Sequence, residues 1–314
     1  MVPRMLRIFL YRIALVCVSI ALMSASGRIG AASKISIAHR GASAYAPEHT
    51  LTAYRMAIEQ GADYVEQDLA ITRDGVLICL HDDSLERTTN VEDVYPERGE
   101  IDPATGRRQW LAVDFTLAEI RRLDAGSWFD ARFAGERIPS WDEAVAAVGT
   151  GAGLYPELKT PALYRRRNVN MARVFSESFR RLNLGSRRRE ALIVQSFDDQ
   201  TLRELAAELP DVPRTFLIEG RDGDRWLSPA GLSEVARFAT GIGPAKGLIE
   251  KHPDVVKAAH TLGLTVTPYT FTSRAPAAGF PDVRREMAHY LFTLDVDAVF
   301  TDNPDRFPRD EPSR

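Results

Sequence analysis

The chain has 314 residues, of which 45% are apolar and 26% charged, and a formal charge of −3 at pH 7. That length suits one large α/β barrel or two smaller domains, and the composition is that of a soluble globular protein. The mild acidity sets nucleic acid aside as a partner, since such a partner calls for a basic patch.

Residues 1–26 differ from the rest: Arg4, Arg7 and Arg12 precede the apolar run 13–23, and Ser24-Ala25-Ser26 follows it. Basic start, apolar centre and small-residue exit describe a secretory signal peptide. A stable span of the mature chain is not expected, because an eleven-residue run falls short of the roughly twenty that a membrane requires. An uncleaved anchor is the alternative. Cleavage near Ser26 takes the charge to about −6, with three arginines removed, and leaves Cys79 as the one cysteine. On an apolar strand it reads as a buried, inert thiol with no disulfide partner.

From Ile35 onward, short apolar runs alternate with amphipathic segments. Strands are expected at 35–38, 64–69, 76–80, 153–157, 191–195, 214–218, 242–243, 264–269 and 298–301. Helices are expected at 50–60, 171–182, 199–208, 230–239, 254–262 and 282–293, with Asp198 and Ser228 as caps and Gly263 as a stop. Repeated βα units imply a parallel sheet, and this many of them favour a closed (β/α)8 TIM-type barrel. Nine strand candidates compete for eight places, and 242–243 is the weakest. The interval 90–152 breaks the rhythm and reads as a small insertion after the third strand, with helical pieces near 116–123 and 140–148 and no second domain with its own core. The barrel spans 35–307, and 308–314 reads as a disordered tail.

Chemistry-bearing residues gather at strand ends. Glu66 and Asp68 stand two apart on one strand, so both side chains point the same way. Tyr155-Pro156-Glu157-Leu158-Lys159 ends another strand with an acid and a base two apart. Three carboxylates and no thiolate suit Ca²⁺ or Mg²⁺ rather than Zn²⁺; one Glu-x-Asp alone reads better as surface charge. His39 and His81 end two strands beside those carboxylates, where a pair of imidazoles can act as acid and base. Arg40 and Lys159 add fixed positive charge suited to phosphate. Gly41, next to Arg40, serves either a turn or a close backbone approach.

The ordered set His39-Arg40-Gly41-Ala42, Pro47-Glu48-His49-Thr50, Glu66-Gln67-Asp68, His81-Asp82, Pro156-Glu157-Leu158-Lys159, Gln195-Ser196-Phe197, Gly241-Ile242-Gly243-Pro244, Pro268-Tyr269-Thr270 and Thr301-Asp302-Asn303-Pro304 resembles the glycerophosphodiester phosphodiesterases over residues 35–307. The Pro-Glu-His-Thr and Pro-Tyr-Thr forms look like the periplasmic bacterial branch, although the insertion is short for it. The resemblance implies a TIM-type barrel that hydrolyses deacylated phospholipids to sn-glycerol 3-phosphate and an alcohol. Carried over by position, Glu66, Asp68 and Glu157 would hold one divalent cation, Ca²⁺ ahead of Mg²⁺. His39 and His81 would be the acid–base pair, Arg40 and Lys159 would hold phosphate, and Glu48, Gln195, Tyr269 and Asp302 would support them. The expected partner is a small glycerophosphodiester; the location is periplasmic or secreted, and homo-oligomerisation stays open. Two other readings remain: a lysophospholipase D-like enzyme with Tyr269, Phe271 and Trp128 as an apolar rim, and a non-catalytic phosphodiester-binding barrel.

Overall fold

In the computed structural model, residues 33–186 and 191–310 are described; the expected signal peptide and residues 311–314 of the expected tail lie outside them. The strands are β1 (Ile35–Ala38), β2 (Tyr64–Ile71), β3 (Leu77–Cys79), β4 (Glu100–Ile101), β5 (Arg108–Gln109), β6 (Gly153–Leu158), β7 (Val194–Ser196), β8 (Arg214–Ile218), β9 (Gly241–Pro244), β10 (Thr265–Val266) and β11 (Ala298–Thr301). Eight of them pair in parallel in the order β10-β9-β8-β7-β6-β2-β1-β11. Backbone bonds between residues 266–271 and 297–302 close the ring, among them Asp297 N to Val266 O at 3.0 Å and Phe271 N to Phe300 O at 2.9 Å. The result is a TIM-type (β/α)8 barrel.

Two strand assignments differ from expectation. The run 76–80 becomes β3, which pairs antiparallel with β2 and lies outside the ring. Its residues are fully buried, and periodicity alone does not separate a buried antiparallel strand from a barrel strand. The weak candidate at 242–243 is instead a barrel strand, β9. Its glycine-rich sequence follows from close packing: a Cβ on Gly241 would stand 2.3 Å from Thr265 Oγ1.

The inserted segment leaves after β3, the third strand in chain order, and carries the small β4–β5 hairpin. It has an apolar cluster of its own, centred on Leu85, Val91, Trp110, Phe115, Ile120 and Leu123, and anchored to the sheet through Ala70 and Ile78. That cluster was not foreseen, because turn residues hide the spacing of its apolar groups. Helix Leu117–Ile120 starts on a capping box of Thr116 and Glu119, and helix Trp141–Val148 on one of Ser140 and Glu143. The second helix packs on β2, β3 and β6 and so belongs to the barrel wall. Asp198 and Ser228 cap their helices as expected, each accepting from a backbone N–H three residues on.

Alternation along the strands sets the site. Tyr64, Tyr155 and Phe300 fill the barrel interior, with ring centroids 5.8 and 5.1 Å apart, whereas Val65, Leu69, Leu154 and Leu158 face the helices. With a period of two, the next inward positions are Glu66 and Asp68 on β2, Glu157 on β6 and Lys159 just after it, and Asp302 after β11. From Lys34 onward the chain forms one compact unit. Cys79 is a free, buried thiol that burial pushes up to about 12, so it is inert as expected. At the chain's end Phe307 is buried and Arg309 pairs with Asp63 at 2.7 Å, which ties residues 307–309 to the barrel.

Candidate active site

A cavity of about 380 Å³ opens on the carboxyl ends of the barrel strands, lined by His39, Arg40, Glu66, Asp68, His81, Glu157, Lys159, Gln195 and Tyr269 among others. Nine of the eleven expected site residues thus meet in one place. The other two stand behind the lining: Asp302 bonds His39, and Glu48 bonds Arg40.

The three carboxylates Glu66, Asp68 and Glu157 each offer an oxygen within 4.8 Å of the others, and all are buried. Burial together with repulsion from Asp68 raises Glu157 to about 8, and the same causes hold Glu66 well above the carboxylate range. Asp68 goes the other way. Burial pushes it up, but Lys159, His49 and Arg40 outweigh that and keep it charged. Three convergent oxygen donors whose repulsion a cation would relieve fit a hard divalent ion. Gln195 Nε2 donates to Glu66 Oε1 at 2.8 Å and fixes its orientation.

Arg40 is turned into the site by a left-handed backbone at φ 57°, beside Gly41 at φ 86°. A Cβ on Gly41 would meet the Ala53 backbone at 2.8 Å, so both turn and close approach require glycine. Arg40 N–H donates to Glu66 Oε2 at 3.0 Å, and its guanidinium donates to Glu48 at 3.0 Å and lies 3.4 Å from Asp68. Its Nε is the buried guanidinium atom that faces Asp68 Oδ2 at 3.4 Å, without a hydrogen bond. Lys159 Nζ pairs with Glu157 at 3.1 Å; burial works against its charge, but Asp68 and Glu157 prevail and raise its pKa.

Each imidazole of the pair has an aspartate behind it. His39 Nδ1 donates to Asp302 Oδ1 at 2.6 Å, which leaves Nε2 for chemistry, 3.8 Å from Glu66 Oε2. Burial opposes the Asp302 charge, yet the His39 bond brings this carboxyl down to about 2. His81 Nδ1 donates to Asp82 Oδ1 at 2.6 Å. Ionised carboxylates only accept, so both rings present Nε2 toward the cavity.

Several working residues carried no role in the sequence reading. Arg87 bonds Asp82 and donates to both Glu48 oxygens at 3.0 and 2.6 Å. His49 is buried, with Nε2 2.8 Å from Asp68 and Nδ1 2.9 Å from the Tyr54 hydroxyl; burial lowers its pKa, so it is a neutral prop for Asp68 rather than a proton carrier. Phe197 and Glu219 line the cavity one inward step beyond Gln195 and Leu217, and the period-two rule would have found both. Of the apolar rim that the lysophospholipase D-like reading would use, Tyr269 lines the cavity and the other two residues do not. Phe271 is fully buried against Tyr290, and Trp128, though exposed, stands outside the cavity.

The model described as the glycerophosphoryl diester phosphodiesterase family matches residues 39–306. A glycerophosphodiester phosphodiesterase of Bacillus subtilis is 30% identical, over 97% of this chain and 96% of its own length. One from Haemophilus influenzae is 30% identical over 87% and 88%. Among solved structures, a glycerophosphodiester phosphodiesterase from Agrobacterium tumefaciens superposes with a TM-score of 0.64 at 30% identity, covering 87% of this chain and 98% of that one. A phosphodiesterase from Oleispira antarctica, in complex with the product sn-glycerol-3-phosphate, gives 0.68 at 25% identity, covering 87% and 95%.

Proposed function

Because the chain belongs to the glycerophosphoryl diester phosphodiesterase family, we propose that it hydrolyses glycerophosphodiesters to sn-glycerol 3-phosphate and an alcohol, using a divalent cation and two histidines. The observation that carries this reading is the convergence of three buried carboxylates, two cations and two aspartate-backed imidazoles on one cavity. Glu66, Asp68 and Glu157 hold the cation, Ca²⁺ ahead of Mg²⁺, which when bound supplies Lewis-acid stabilisation of phosphoryl charge. Arg40 and Lys159 grip the non-bridging oxygens.

One histidine takes the proton from the glycerol hydroxyl next to the ester as that oxygen attacks phosphorus. The other delivers a proton to the alcohol oxygen as its bond to phosphorus breaks. A cyclic phosphate results; water opens it with the two histidines exchanging tasks, which returns both to their starting states. His39 and His81 suit this exchange because each Nδ1 is tied to an aspartate, leaving Nε2 to carry the proton.

The test is turnover of glycerophosphocholine after chelation, with Ca²⁺ and Mg²⁺ restored separately, beside His39→Ala and His81→Ala. Loss of about 10²–10⁴-fold in kcat is expected for each variant. Near-normal turnover in both would end the mechanism, and ligand binding without turnover under any metal would favour a non-catalytic barrel. Residues 1–26 support a periplasmic or secreted enzyme, which the N-terminal sequence of the exported protein would check.

A further inference from the structure

Cys79, Tyr54, His49 and Asp68 run in file from the barrel wall to the carboxylate triad, and the reaction above uses only the last of them. Asp68 Oδ2 stands 2.8 Å from His49 Nε2, and His49 Nδ1 stands 2.9 Å from the Tyr54 hydroxyl. That hydroxyl also shares a hydrogen bond with the Cys79 thiol. None of the four is more than 3% exposed, so each finds its partner within the row. They come from separate elements: Cys79 from β3, Tyr54 from helix Leu51–Glu59, His49 from the turn before that helix and Asp68 from β2. His49 is delivered by a left-handed backbone, φ 58°, which few residues other than glycine adopt. Its own N–H donates to Arg40 O at 3.0 Å, which ties the ring to the turn that carries Arg40.

The row has a direction. An ionised Asp68 carboxylate can only accept, so His49 Nε2 carries the ring proton. In the neutral imidazole the other nitrogen is then an acceptor, and Nδ1 takes the Tyr54 O–H. The Tyr54 oxygen keeps a lone pair, to which the Cys79 thiol, kept protonated by burial, donates. Every donor in the row thus points toward Asp68. Packing alone does not call for the hydroxyl: the His49 and Tyr54 rings meet at 72° with centroids 6.2 Å apart, a contact phenylalanine makes as well. Arg40 Nε faces the same Asp68 Oδ2 at 3.4 Å, so the donors gather on one oxygen of that carboxylate.

We propose that Tyr54, with Cys79 behind it, is a positioning residue for the cation: it holds His49 as the Nε2–H tautomer, which engages Asp68 Oδ2 and leaves Oδ1 to the ion. The inference rests on the reading of Glu66, Asp68 and Glu157 as cation ligands. Neither Tyr54 nor Cys79 lines the cavity, so both act through His49. Without the hydroxyl, Nδ1 is a buried acceptor with no donor, and nothing holds the ring plane on Asp68.

The test combines calorimetric titration of the metal-free protein with Ca²⁺ and ¹⁵N NMR of its histidine rings, the His49 signals being assigned by their loss in His49→Gln. In the wild type the ring should show a protonated Nε2 and a bare Nδ1. A protonated Nδ1, alone or beside a protonated Nε2, would overturn the proposal. Tyr54→Phe should weaken Ca²⁺ binding about tenfold, the lower end for loss of an outer support, and move the Nδ1 signal. Cys79→Ala should weaken binding less, and Cys79→Ser, which restores a donor, should return it to the wild-type value. An unchanged Kd in Tyr54→Phe would overturn the proposal even with a lower Tm, because a role in packing alone moves stability and not the cation. Should Tyr54→Phe fail to fold, the two Cys79 variants decide by the same comparison. Should the wild type bind neither Ca²⁺ nor Mg²⁺, the cation reading itself fails. The ring signals then decide whether the row holds Asp68, a moved Nδ1 signal in Tyr54→Phe supporting it and an unmoved one overturning it.

Discussion

Asp302 Oδ1 stands 2.6 Å from His39 Nδ1, although 263 positions separate the two residues. Their meeting requires the last barrel strand to lie beside the first, with Ala38 opposite Thr301 in register. Asp302→Asn keeps the size of the side chain but removes the charge, and puts an amide that can donate where an acceptor-only carboxylate fixes the His39 tautomer. A fall in kcat of about 10²-fold or more is expected, with KM changed far less, since the lost effect belongs to proton transfer. Steady-state kinetics on glycerophosphocholine reads the split; a rise in KM alone would count against it.

The same carboxylate has a pH signature in stability. Its folded pKa, about 2, lies below the ordinary 3.8, so its stabilisation is present above pH 4 and disappears as pH falls through about 2. The contribution is about 2–3 kcal/mol. Denaturant midpoints of the wild type and Asp302→Asn should therefore differ at about pH 6 and converge as pH approaches about 2. A constant difference at every pH would contradict the assignment.

Two of the three carboxylates proposed to hold the cation, Glu66 and Glu157, run in the opposite sense. Glu157 is raised to about 8 in the fold, from 4.5. Metal-free protein should keep its full stability below about pH 4.5 and lose some as pH rises through about 8. A divalent cation should abolish that loss by binding the folded site, so the cation-induced rise in Tm grows with pH. Scanning calorimetry with chelator and with added Ca²⁺ measures it, and Glu157→Gln should flatten the metal-free curve.

Arg87 ties Glu48, which holds Arg40, to Asp82, which holds His81. Arg87→Ala should cut kcat about 10–100-fold through loss of this outer support, and Arg87→Lys should recover part of it. Wild-type rates in Arg87→Ala would show that Asp82 orients His81 unaided.

Gly41→Ala should be harmful without touching any charged group. It forces a left-handed backbone and places Cβ against the Ala53 main chain. A destabilisation of about 2–4 kcal/mol is expected from the two effects together. Chemical denaturation reports it.

Much of this was legible before any fold was known. Strand ends loaded with charge betray a barrel's working face, because apolar runs must stop where side chains meet solvent or substrate. Alternation by two placed Glu66 with Asp68 and Glu157 with Lys159 on shared faces. Less visible were relationships that need the closed ring. Arg87 resembles any surface arginine until Glu48 and Asp82 are brought to either side of it. The run at β3 looked like a barrel strand because its burial matches one, and Gly241-Ile242-Gly243-Pro244 looked like a loop because its packing partner, Thr265, lies on the next strand. Glu219 was overlooked for a different reason: it stands in no motif, only one step farther along a strand face already read.

The backward turn from β2 into β3 has a mechanical consequence. Leu80 N bonds Asp68 O at 2.8 Å, so the His81 ring proposed to carry a proton and the Asp68 carboxylate proposed to hold the cation hang from adjoining rungs of one two-stranded ladder. Tremor of that ladder carries both together and leaves their spacing intact. Lengthening or trimming the loops beyond Arg87 should therefore retune what enters the mouth while the reacting atoms keep their separation.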